Sequence, residues 1–229
     1  MLIQAGIGIG LLGAAIHGAF YRNSFFFGPV MGRLPTSKRE VALTFDDGPN
    51  PDATPRILDV LGELGVRATF FTLGRHAEQW PQLVHRVEAE GHQLGNHGYF
   101  HRKLHLKSPF YVKRDLRLGK RAIERAGARS PEFFRAPHGY RNPWVSAIAS
   151  SLGERTIGWS LGVWDSDRPG VHEIVKRTMD GVKPGSIVLL HDGDGYNPGG
   201  DRTQTADALP EIITGLRQRG YTFATLPAS

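Results

Sequence analysis

The sequence predicts an α/β fold in which seven parallel strands alternate with outer helices in an incomplete (β/α) barrel. Three observations predict it. From residue 38 onward, short apolar runs alternate with longer amphipathic stretches, and such alternation builds a parallel sheet covered by helices. The alternating part occupies about 190 residues, which suits seven units better than a full eightfold barrel of ~250. Polar, titratable or cationic residues stand just beyond the predicted strands, at Asp46-Asp47, His97, Arg135, Asp165 and His191, where such a barrel gathers its active site. An open doubly wound sheet is the alternative arrangement. No glycine-rich phosphate loop follows a strand, which argues against a nucleotide site.

Each element has its own signal. Val41–Phe45 is an apolar run stopped by Asp46-Asp47-Gly48-Pro49, and reads as a buried strand. Pro55 opens a helix that ends before Gly65, with Ile57, Leu58, Leu61 and Leu64 on one face. Ala68–Leu73 is the second strand, and one helix is expected over Glu78–Glu90, stopped by Gly91. Gln93–Gly95 is a brief strand. Ser108-Pro109 starts a long helix that stops at Gly127. Glu132–Arg135 is a strand, and Asn142-Pro143 caps a helix ending at Gly153. Thr156–Val163 is expected as one strand, Val171–Gly181 as a helix and Ser186–Leu190 as a buried strand. Thr203–Arg219 is helical, with Pro210 near its beginning or at a kink, and Thr222–Leu226 is the last strand.

The N-terminal 37 residues differ from the domain at 38–229. No Asp, Glu, Lys or Arg occurs before Arg22, and about 20 apolar residues suffice to span a bilayer. A membrane anchor is therefore expected over residues 2–20, followed by a linker with aromatics at Phe25 to Phe27. Arg22, Arg33, Lys38 and Arg39 follow the segment, so the positive-inside tendency points the domain toward the cytoplasm. The chain has no cysteine, which excludes disulfides, thiolate metal sites and cysteine nucleophiles. Any metal must be held by His, Asp or Glu. The net charge of +6 is spread along the chain without a nucleic-acid motif, and nucleic acid is not an expected partner.

The strand ends carry the chemistry. Two adjacent carboxylates, Asp46 and Asp47, can divide labour between binding a metal and taking a proton from water. His97 and His101 are four apart, a spacing that suits a chelate, with His105 continuing it as a rival. Asp47, His97 and His101 together make three N/O ligands, the number a catalytic zinc site uses while leaving a position open for water. Arg135 needs an anionic partner if buried, and Asp46 is the candidate. The turn after it can aim the His138 N–H at a developing oxyanion. His191 is the candidate general acid, with Asp165 or Asp167 holding its tautomer.

Five motifs occur in order: Thr44-Phe-Asp-Asp-Gly-Pro49, Gly95-Asn-His-Gly-Tyr-Phe-His101, Phe134-Arg-Ala-Pro-His-Gly139, Trp159-Ser-Leu-Gly-Val-Trp-Asp165 and Leu189-Leu-His-Asp192. Together they resemble the polysaccharide deacetylase family (carbohydrate esterase family four, the chitooligosaccharide deacetylase homology domain), over about residues 40–226. The resemblance implies a distorted seven-unit (β/α) barrel that hydrolyses N-acetyl groups of amino-sugar polymers or oligomers and releases acetate. It implies Asp46 as catalytic base, and Asp47, His97 and His101 as ligands of a divalent metal, usually zinc. Arg135 would orient Asp46, and Asp165 would tune His191, the general acid. Leu189 would line the pocket for the acetyl methyl, while Tyr140, Trp159 and Trp164 could stack on sugar rings. Two departures stand out. Gly98 occupies a position usually held by Ser or Thr, removing a hydroxyl beside the metal ligands. Ser166 follows Asp165 where Trp is common, which leaves Asp165 and Asp167 both in play. The expected partner is an N-acetylated glycan and the expected location the cell envelope. An O-acetyl esterase, or a non-catalytic glycan-binding protein tethered to a membrane, are the alternatives.

Overall fold

The computed structural model describes residues 13–227. Its strands are β1 (Glu40–Asp46), β2 (Thr69–Thr72), β3 (Gln93–Asn96), β4 (Phe133–Phe134), β5 (Arg155–Thr156), β6 (Leu161–Gly162), β7 (Ser186–His191) and β8 (Thr222–Phe223). Its helices are α1 (13–20), α2 (Ala53–Glu63), α3 (Gly74–Gln79), α4 (Pro81–Ala89), α5 (Pro109–Arg125), α6 (Val145–Ser151), α7 (Val171–Gly181) and α8 (Thr203–Gln218). The strand order is β5-β4-β3-β2-β1-β7-β6, with β8 beside the start of β1. Every ladder is parallel. The sheet curls into an open barrel ringed by helices, as predicted.

Strand periodicity decides what faces the interior, because alternate side chains point to opposite faces. Val41, Leu43 and Phe45 of β1 pack outward with α2 and α8 residues such as Ile57, Leu61 and Ile212. Ala42 joins Phe71, Phe133, Ile157 and Ile187 in a smaller inner cluster. Thr44 and Asp46 continue that inner face toward the strand ends. The chemistry thus sits on top of a packed interior.

Three elements differ from the sequence reading. The helix expected over Glu78–Glu90 starts earlier and is two helices, α3 and α4, broken at Trp80 (φ −131°, ψ 61°). Pro81 has no N–H to continue α3, and its ring drives the preceding residue out of helical conformation. The strand expected over Thr156–Val163 is divided between β5 and β6, which form the two opposite edges of the sheet. Its middle bridges instead to the N-terminal segment, Met31 with Ile157. Pro210 lies well inside α8, on its exposed face, where its ring meets solvent.

The N-terminal segment packs on the barrel. Leu34 is buried in the inner cluster. The fully buried Arg141 donates from its backbone N–H to the Ala19 carbonyl and from Nη2 to the Ser24 carbonyl. Most of the apolar stretch expected to cross a membrane lies outside the described residues. Among the described residues, no helix is long and apolar enough to do so.

Candidate active site

A cleft of about 350 Å³ opens at the C-terminal ends of the strands, and Asp46, Asp47, His97, His101, His138, Tyr140, Trp159, Trp164, Leu189 and His191 all line it. Arg135 and Asp165 stand behind its wall, each holding one lining residue.

Three donor atoms converge on one side. Asp47 Oδ1 lies 3.3 Å from His97 Nε2 and 3.1 Å from His101 Nε2. A tetrahedral ion with bonds of 2.0–2.1 Å separates its ligands by about 3.3 Å, so the spacing fits a metal ion. All three residues are buried, and among the described residues Asp47 Oδ1 has no hydrogen-bond donor. Burial pushes the Asp47 carboxyl up, but His101 and His97 outweigh it and hold it well below the usual carboxylate range. His97 donates from Nδ1 to the Arg135 carbonyl at 2.9 Å, which leaves its Nε2 lone pair facing Asp47. His105 packs instead against Phe20 and Tyr140.

Asp46 sits beside this group. Arg135, with no exposed surface, donates from Nη1 to Asp46 Oδ1 at 2.6 Å and to Thr44 Oγ1 at 2.9 Å, and from Nη2 to the Gly158 carbonyl at 2.9 Å. Its guanidinium carbon lies 4.1 Å from the Phe71 ring centroid. One Asp46 oxygen is thereby fixed; the other, Oδ2, lies 3.7 Å from His97 Nε2.

The carboxylate facing His191 is that of Asp165. Its Oδ1 accepts from His191 Nδ1 at 2.9 Å and its Oδ2 accepts the His191 backbone N–H at 2.8 Å. Thr205 Oγ1 donates to Oδ2 at 2.8 Å. Burial alone would lower the His191 imidazole, but Asp165, aided by Asp47 and Asp46, raises it to about 9. Its Nε2 edge is left for the cleft.

Four residues of this region, Asp47, His101, His138 and Trp164, hold left-handed backbone with φ between 54° and 75°. Such conformations cost about 1 kcal/mol or more for a residue with a side chain, and they concentrate where geometry serves function. At His138 the turn leaves the backbone N–H without an acceptor among the described residues.

A family model for polysaccharide deacetylase matches residues 33–157. A peptidoglycan-N-acetylglucosamine deacetylase of Bacillus cereus is 39% identical over 204 residues, which cover 87% of this chain and 92% of that protein. A chitooligosaccharide deacetylase of Bradyrhizobium sp. (strain ANU 289) is 40% identical, covering 82% and 90%. The chain belongs to the polysaccharide deacetylase family. A crystal structure of the Bc1960 peptidoglycan N-acetylglucosamine deacetylase, in complex with 4-naphthalen-1-yl-N-oxidanyl-benzamide, superposes with a TM-score of 0.81 at 34% identity, covering 86% of this chain and 91% of that one.

Within this polysaccharide deacetylase, several contributors to the site carry no motif signal. Gly195, Tyr196 and Arg202 come from the loop after β7, and Arg22 from the N-terminal segment. Tyr196 OH lies 3.0 Å from His138 Nε2. Asp192 is buried under the turn after β1, where Thr54 donates to its Oδ2 at 2.6 Å and burial raises it to about 7. A side chain at Gly48 would strike that same oxygen, which accounts for the glycine in Asp46-Asp47-Gly48-Pro49. The Asp-Gly-Asp-Gly-Tyr-Asn-Pro-Gly run from Asp192 is rich in turn formers, and three of its residues, Asp194, Gly195 and Tyr196, form a wall of the cleft.

Proposed function

We propose that this chain hydrolyses N-acetyl groups of amino-sugar glycans, releasing acetate and leaving a free amine. The observation that carries the reading is the convergence of the Asp47–His97–His101 donor set with Asp46–Arg135 and His191–Asp165 at one cleft. The peptidoglycan and chitooligosaccharide deacetylases to which the chain is similar support the same chemistry.

Two imidazoles and one carboxylate with a fourth position open favour zinc, which when bound would acidify water and polarise the acetyl carbonyl. Asp46, oriented by Arg135, takes a proton from the attacking water. The free His138 N–H donates to the oxyanion that develops on the acetyl carbonyl oxygen as water adds to its carbon. His191, protonated at neutral pH, gives its Nε2 proton to the leaving nitrogen as the C–N bond breaks, and Asp165 stabilises the imidazolium. Leu189 presents an apolar wall to the acetyl methyl. Trp164, two-thirds exposed at the cleft edge, and Trp159 offer ring faces to sugars. A peptidoglycan substrate would be met at the cell envelope, which is the location this reading expects.

The test is acetate release by zinc-loaded protein from N-acetylglucosamine oligomers, peptidoglycan glycan strands and acetylated xylan. Release from the amide substrates is expected. Release from xylan alone would make the protein an O-acetyl esterase, and no release from any of them would reject hydrolysis.

A further inference from the structure

One cation at the cleft is not explained by the chemistry above. Arg22 lines it beside His138, Tyr140 and Trp159, yet precedes residue 33, where the family match begins. Its Nε donates to the Trp159 carbonyl at 3.0 Å, and its guanidinium carbon lies 5.2 Å from the Trp159 ring centroid. The segment that carries it is docked by other contacts. Asn23 Nδ2 donates to the same carbonyl at 2.9 Å, Arg141 holds the Ala19 and Ser24 carbonyls, and Met31 bridges to Ile157.

The other cations here are already paired: Arg202 with Asp194 at 2.9 Å, Arg135 with Asp46 at 2.6 Å and His191 with Asp165 at 2.9 Å. Among the described residues, Arg22 has no carboxylate partner, and only its Nε makes a hydrogen bond. A guanidinium tethered at Nε and stacked on an indole keeps its terminal N–H donors in a fixed plane. That arrangement matches the two oxygens of a carboxylate.

We propose that Arg22 is a specificity-determining residue that pairs with a carboxylate on the sugar next to the N-acetylated one. The substrate is then an anionic glycan, such as a peptidoglycan strand whose neighbouring sugar bears a lactyl ether, in preference to a neutral N-acetylglucosamine oligomer. The inference rests on the deacetylase reading and names its substrate class.

The test compares kcat/KM of zinc-loaded wild type, R22Q and R22K on peptide-free peptidoglycan strands and on tetra-N-acetylchitotetraose. The ratio of the two should fall about tenfold in R22Q, the worth of one charge-assisted pair. R22K, which keeps the charge but loses the fork, should recover only part of it. Methyl esterification of the strands should abolish the wild-type preference. A ratio unmoved by R22Q, or a loss equal on both substrates, overturns the proposal. Calorimetric binding of a muramic-acid disaccharide separates this from failure of the deacetylase reading. Binding weakened about tenfold in R22Q without any acetate release would reject the activity while retaining the ion pair.

Discussion

Gly98 and Asp115 are fitted to one another. Gly98 has φ +77°, and a side chain there would strike Asp115 Oδ2. That carboxylate, buried on α5, accepts the backbone N–H groups of Tyr99 and Phe100 at 3.3 and 3.1 Å. Asn96 Oδ1 accepts the Gly98 N–H at 2.9 Å. The loop between the two imidazoles is therefore tied to α5 by a carboxylate, directly beside the Asp47–His97–His101 donor set. Asp115 reaches this loop from 17 residues beyond Gly98.

Removing that carboxylate should loosen the donor set. D115A is expected to weaken zinc affinity by about 10–100-fold, the usual cost of losing a group that supports metal ligands. Competition with a chromophoric chelator measures it. An affinity equal to wild type would show that Asn96 alone holds the loop.

Asp46 and Asp47 are adjacent but face different partners, so their substitutions should separate. D46N should lower the acetate-release rate by at least about 10²-fold while zinc content by atomic absorption stays at the wild-type level. D47N should lose the metal itself. Equal metal loss in both would contradict the division of labour.

With His191 as the proton donor, its titration should set the alkaline limb of the rate profile. His191 is raised to about 9, so the protonated acid is present at neutral pH and is lost as pH rises through that value. D165N removes the carboxylate that raises it. The alkaline limb of kcat/KM should then move toward neutrality, and a limb that stays in place would assign it to another group.

Arg135 is buried with its Asp46 partner, and breaking one side of such a pair costs about 3–5 kcal/mol because the other charge is left unpaired. R135M should lower stability by that order in urea unfolding, and turnover with it. R135M/D46N removes both charges and should recover part of the stability without recovering activity.

Glu154 gives a stability signature away from the cleft. It is buried, accepts from Asn96 Nδ2 at 2.9 and 3.1 Å, and is raised by burial to about 8. The folded state holds the proton more tightly than the unfolded chain, in which a glutamate titrates near 4.5. Its contribution to stability is complete below that value and is lost as pH rises to about 8. E154Q should remove this fall and exceed wild type at pH 8.5 by about 2–4 kcal/mol. Parallel stability curves for the two proteins would show that folding leaves the Glu154 titration unchanged.

Much of this was legible in the chain. Strand ends at Asp46, His97, Arg135 and His191 could be read because polarity follows abruptly on short apolar runs. Long helices such as α5 announced themselves by Ser108-Pro109, whose hydroxyl accepts the Tyr111 N–H at 3.3 Å. The seam was not legible: Thr156–Val163 reads as one apolar strand, and nothing local says that its halves join opposite edges of the sheet. The Trp80-Pro81 break was visible as a proline but was absorbed into a helical pattern. Arg22 sat in what composition alone described as a linker.

The residue types limited any metal site to His, Asp and Glu before any fold was known, because the chain has no cysteine and these residues follow the strands. The alternation of apolar runs likewise determined a parallel sheet, since hydrophobic periodicity is a local property. Tertiary structure decided the pairings between distant positions: Asp165 as the partner of His191, Asp115 under the Gly98–Phe100 backbone, and Arg22 over Trp159. Those depend on which side chains the curl of the barrel brings within hydrogen-bond reach. Separations of 16 to 137 residues leave no periodicity from which such contacts could be read.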